Sequence, residues 1–230
     1  MKKLTLILLM ILLIPTFIFA EEFKADELTI SLDEEKWNVI TRDNLKGNEI
    51  LETLNITEEY MENFFDNYNA YIDAFVIKDN NVTEIIVASR KVASKKDFNE
   101  ATDKELKELM NDYIKQTGYS NSELYKNSKY SYIKSTYEDQ GLYLIDYYTT
   151  MNKKTYTIKF QKSSAITEEE EKELQEIIDS IKFKKNTKSN TDDEKESSSI
   201  ITNVIIYTII GGFVGFLVGF VFKKSNNKPE

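Results

Sequence analysis

Carboxylates, lysines, hydroxyls and tyrosines are the side chains through which this chain could act, because it has no histidine and no cysteine. That removes the Ser-His-Asp triad, the cysteine nucleophile, the thiol redox centre and the His/Cys zinc site. Carboxylates are plentiful, and two acids facing one another across a cleft would suffice for a hydrolase. The densest run, Glu168-Glu169-Glu170-Glu171, directly follows Thr167. It reads more simply as acids gathered at the positive end of a helix. A Ser–Lys dyad is formally open, but no motif positions one. Asp79-Asn80-Asn81 could offer oxygens to calcium; without a glycine or glutamate at EF-hand spacing it reads as a turn. Neither a P-loop nor a GxGxxG fingerprint occurs. No metal and no cofactor is expected.

Tyrosine is unevenly placed. Of 14, nine fall between positions 119 and 156. Tyr147 and Tyr148, adjacent on one strand, must point to opposite faces. Part of the set therefore belongs on a sheet surface or edge, where an amphipathic ring favours a protein or glycan partner. Tyr130, Tyr132, Tyr147 and Tyr148 are the candidates for such a binding surface. The competing account is an AT-rich coding bias, also visible in the excess of lysine over arginine, combined with the preference of strands for aromatics.

Two apolar segments frame the part of the chain that carries these residues. Residues 1–20, MKKLTLILLMILLIPTFIFA, have a basic start, an apolar middle and a small final residue, the form of a signal peptide cleaved after Ala20. Residues 200–222, IITNVIIYTIIGGFVGFLVGFVF, contain no charge. As a helix they would measure roughly 34 Å, enough to cross a hydrocarbon core of about 30 Å. Lys223 and Lys224 follow at once, whereas residues 192–196 are mostly acidic, so the eight-residue tail 223–230 is expected inside and the domain outside. Gly211, Gly215 and Gly219 share one face of that span and suit close packing against another helix, including that of a second copy. Residues 184–199 are polar and without apolar period, as in a stalk. The net charge of −9 argues against nucleic acid.

Residues 21–183 remain for one exported domain, which must be stabilised by burial because no disulfide can form. ELTISLD (27–33) alternates as a half-buried strand, and extended structure resumes at 37–41, where Trp37 is expected in the core. A short helix is predicted over 45–54. A second is capped by Thr57 and carries the stripe Met61, Phe64, Phe65, Tyr68. Strands at 71–77 and 82–90 form a hairpin. Thr102 and Glu105 form a capping box for a helix with the stripe Leu106, Leu109, Met110, Tyr113, ended by Gly118. Strands follow at 130–137, 142–151 and 155–161. In the last, Tyr156, Ile158 and Phe160 face one way, and Thr155, Thr157, Lys159 and Gln161 the other. A final helix, capped by Thr167 with Glu170, carries Leu174, Ile177, Ile178 and Ile181. The expected fold is α+β, a mainly antiparallel sheet covered by helices.

This order, with the opening LTISLDEEKWNVITRDN and the closing YTIKFQKSSAITEEEEKELQEIIDSIKF, resembles the PsbP-like domains of small exported proteins of Gram-positive bacteria. The resemblance covers roughly residues 23–183 and implies a sandwich that binds proteins or assemblies rather than catalysing a reaction. It transfers no site residue. The C-terminal span departs from the lipid-anchored form of many such proteins. Two functions follow as expectations: a membrane-anchored, non-catalytic binding module of a bacterial cell envelope with a protein or glycan partner, or a carboxylate-dependent envelope hydrolase.

Overall fold

The structure, a computed structural model, describes residues 20–78, 81–92 and 96–184. The expected stalk from residue 185 on, the span with Gly211, Gly215 and Gly219, the tail and all but the last residue of the signal segment lie outside the described residues. Among those described, no helix is long and apolar enough to cross a membrane.

The elements run β1 (Ala20–Ala25), β2 (Leu28–Asp33), β3 (Asn38–Thr41), α1 (Glu49–Leu54), α2 (Glu58–Tyr68), β4 (Ala70–Lys78), β5 (Asn81–Lys91), a 3-10 turn (Phe98–Glu100), α3 (Asp103–Thr117), β6 (Ser122–Lys126), β7 (Ser131–Asp139), β8 (Leu142–Met151), β9 (Lys154–Lys162), α4 (Glu168–Ser180) and β10 (Lys182–Phe183). Local chemistry sets the helix ends. The Thr57 hydroxyl accepts from the Tyr60 N–H, and both Thr102–Glu105 and Thr167–Glu170 close reciprocal capping boxes. Such caps each contribute about 1 kcal/mol. Gly118 ends α3 at φ 77°, a left-handed conformation open to glycine without a Cβ penalty.

Seven strands form one sheet in the order β3-β4-β5-β9-β8-β7-β6, and β1-β2-β10 form a second. All described pairings are antiparallel. Three layers result. On one face of the large sheet, Ile72, Ile85, Ile158 and Tyr147 meet the small sheet (Leu28, Ile30, Leu32) and the α4 stripe (Leu174, Ile177, Ile178), with Trp37 also inside. On the other face, Phe75, Ile86 and Leu144 meet Leu51 and Leu54 of α1 and Met61, Phe64 and Phe65 of α2. Leu106 and Tyr113 of α3 close the rest of that face over Ile133. Burying each large aliphatic or aromatic side chain contributes about 1.5–3 kcal/mol.

The α+β, antiparallel expectation holds, with three corrections. Helices alone cover one face of the sheet; the other is covered by a second sheet together with α4. Strands β1, β6 and β10 were not expected, because each has at most six residues and too little alternation to register. The first helix starts at Glu49, behind the Asn48 cap whose side chain accepts from the Ile50 N–H, so 45–48 is loop.

Candidate functional site

The Gly118 cap turns the chain so that Tyr119 drops onto β7. Its ring stacks on that of Tyr137, with centroids 3.8 Å apart and planes 13° from parallel. The turn is pinned on both sides. The Tyr119 N–H donates to Thr117 Oγ1 (3.2 Å) and the Ser122 hydroxyl to the Tyr119 carbonyl (2.7 Å). The Thr136 N–H donates to the Asn121 carbonyl (3.0 Å). Between turn and strand opens a cleft of about 460 Å³, lined by residues that include Tyr119, Ser120, Asn121, Tyr137, Glu138 and Asp139.

Tyr137 connects this cleft to the interior. Its hydroxyl donates to Asp146 Oδ2 (2.8 Å) and accepts from Lys159 Nζ (2.9 Å). Lys159 also lies 3.6 Å from Asp146 Oδ2 and 5.6 Å from the Tyr137 ring centroid. Register explains the convergence. Asp73, Ile86, Lys159, Asp146, Ser135 and Ser122 stand directly opposite one another on successive strands, forming one row across the sheet. Glu84 and Gln161 face each other two residues further along, on the same side. Lys159, Gln161, Asp73 and Glu84 are at most 1 % exposed. The polar side of β9 therefore lies beneath the helices and not in water.

Burial sets the chemistry of this row. It pushes the Asp146 carboxyl up, against the lowering pull of Lys159 and of the Tyr137 hydrogen bond. Burial first, and then the Asp146 carboxylate, drive the Tyr137 hydroxyl far above its ordinary range, so it stays a neutral donor. Asp73 is held well above the usual carboxylate range by burial first and then by the charge of Glu84. Glu84 is pushed up to about 7 by burial, against Gln161, Asp73 and Lys159, which lower it. The Gln161 amide donates to Glu84 Oε2. Among the described residues no cluster of three or more acids could hold a metal ion.

The tyrosines selected from sequence are dispersed. Tyr132 and Tyr147 are fully buried and meet edge to face at 6.1 Å, so these two rings serve the core and present no surface. The half-buried Tyr130 accepts from the Phe183 N–H (3.1 Å) and packs edge-on to that ring. Tyr148 does point to the opposite face from Tyr147, where it packs between Phe98 and Tyr113. The rings at the cleft are Tyr119 and Tyr137, from the same nine but not singled out. The signal that could have found them is the Gly118 helix stop immediately before Tyr119, which ties that ring to the neighbouring strand.

Compared with known proteins, the chain matches no family model and no curated protein. It is similar to a solved structure from Bacteroides thetaiotaomicron VPI-5482, with 14 % identity over 74 % of this chain and a TM-score of 0.40. The chain spans 50 % of the length of that structure. It is also similar to the cyanobacterial PsbP (CyanoP) of Synechocystis sp. PCC 6803, with 11 % identity over 74 % of this chain and 96 % of the other, at a TM-score of 0.36.

Proposed function

We propose that the chain is a membrane-anchored binding module of a bacterial cell envelope, with its α+β domain outside the membrane and the cleft beside Tyr119 and Tyr137 as its recognition site. The observation that carries this reading is the stacked tyrosine pair at an open, polar cleft, braced from behind by Asp146 and Lys159. A ring held from below loses little conformational freedom when a partner docks on it. The hydrolase reading has less support, because the neighbouring acids Asp73 and Glu84 are sealed at 0 % exposure, out of reach of a substrate.

The PsbP-like, Gram-positive assignment rests on element order, and the topology rests on the charge asymmetry around residues 200–222. The partner is an envelope protein or glycan, and Gly211, Gly215 and Gly219 provide a face for pairing of the span. The test uses the full-length chain in membranes, incubated with isolated envelope material. Tyr119→Ala should abolish retention, and Tyr60→Ala, a tyrosine of α2 away from the cleft lining, should preserve it. Equal retention of both variants would overturn the cleft as the site. Protease added to intact, wall-stripped cells should release a folded fragment by cutting within 184–199; protection until lysis would overturn the topology.

A further inference from the structure

A hydrogen bond between two carboxyl groups requires a proton on one of them, since an ionised carboxylate only accepts. Asp73 and Glu84 are placed to share one: they are buried neighbours on adjacent strands, and three of their four carboxyl oxygens have no hydrogen-bond partner among the described residues. The two side chains sit on the same side of neighbouring strands, because Asp73 pairs with Ile86 and Phe75 with Glu84 in the β4–β5 ladder. Both are at 0 % exposure. Neither Asp73 oxygen, nor Glu84 Oε1, nor Gln161 Oε1 meets a donor group among the described residues. A buried carboxylate without donors is costly, and two side by side are costlier.

The surroundings supply too little positive charge. On β9, Lys159 is attracted to Glu84, but its ammonium also bonds Tyr137 of β7 and lies beside Asp146 of β8. On β9, Gln161 gives Glu84 an amide donor and no charge. From the helical layer, α2 presents the Tyr60 hydroxyl, which burial first and then Tyr68, Asp73 and Glu84 push up, so it stays neutral. On this side of the sheet, among the described residues, one buried lysine thus stands against three buried acids: Asp73, Glu84 and Asp146.

We propose that Asp73 and Glu84 form a buried proton-binding site, in which a proton held between the two carboxyls persists through neutral pH and is taken up when the domain folds. A proton fits better than a metal ion, because among the described residues two acids and one amide converge there and no cluster of three acids forms. The pH dependence has a definite sign. Unfolded, both acids ionise near pH 4. Folded, Glu84 releases its proton only around 7, and burial holds Asp73 well above the ordinary carboxylate range. The native state therefore carries more protons across that interval. Stability is fully present below the unfolded values and is lost as pH rises through the folded ones.

The experiment follows unfolding of the full-length chain in detergent by fluorescence of Trp37, the only tryptophan and 4 % exposed, from about pH 5 to about pH 8. The folding constant should fall by up to about tenfold per pH unit for each proton retained. Asp73→Asn puts an amide donor where the proton sits, so it should keep the fold and remove one proton's worth of slope. Glu84→Gln serves the same test should the first variant not fold. Independently of any variant, infrared spectra at neutral pH should show a protonated carboxyl band. The proposal would be overturned by stability flat or rising over the interval, by a variant slope equal to wild type, or by absence of that band. Stabilisation of wild type by sodium or calcium that Asp73→Asn abolishes would also overturn it, by placing a cation where the proton is assigned.

Discussion

Two pairs of acids on the large sheet live in opposite worlds. Glu138 and Asp139 lie at the open end of β7, on the lining of the cleft, and make no ion pair among the described residues. Asp73 and Glu84 lie on β4 and β5 beneath α2, wholly out of water. What a carboxylate does here is decided by its roof. Solvated acids are available to a partner and shape the approach of charge. Roofed acids must keep a proton or find a cation, and so become part of what holds the domain together.

The strongest way to break this contrast is Lys159→Met. It leaves Asp146 and Glu84 without their buried cation, and breaking a buried pair from one side costs about 3–5 kcal/mol. Urea denaturation should show that loss, and adding Asp146→Asn should recover part of it. Strictly additive losses would mean that Lys159 and Asp146 are not coupled.

Next in size is Met61→Ala, which thins the roof in the cluster that also holds Phe75 and Ile86. It should cost about 2–4 kcal/mol. It should also flatten the pH dependence of stability, as water reaches Asp73 and Glu84 and their carboxyls return toward ordinary values. A destabilised variant with an unchanged pH slope would show that α2 is not what seals the pair.

At the cleft, Tyr119→Ala removes a stacked ring and should cost about 1–2 kcal/mol, measured by the same denaturation, with the pH slope intact. A changed slope would mean that the cleft and the buried row act as one unit. The smallest effect is expected from Glu138→Gln with Asp139→Asn, which should leave the unfolding midpoint where it is and alter only the capture of envelope material. Destabilisation by this pair would show that the cleft acids are structural.

The element list was largely legible because its signals are local. Thr57, Thr102 and Thr167 precede their helices by one position, Gly118 ends one, and the stripes on α2, α3 and α4 repeat within a few residues. The alternation of β9 correctly put Lys159 and Gln161 on one side and Ile158 and Phe160 on the other. Strand periodicity assigns residues to a side, however, and is silent about what covers it.

From its own residues the sequence determined which chemistries are absent, where helices begin and end, and which side chains share a strand face, since composition, capping and period act over a few positions. Only the tertiary structure decided that the polar face of β9 is buried, that Asp73 and Glu84 meet, and that Tyr119 stacks on Tyr137 while Tyr132 and Tyr147 vanish into the core. Each of those outcomes depends on strand order and on which layer closes over which face. Both are set by contacts between segments far apart in the chain, and no local pattern carries them.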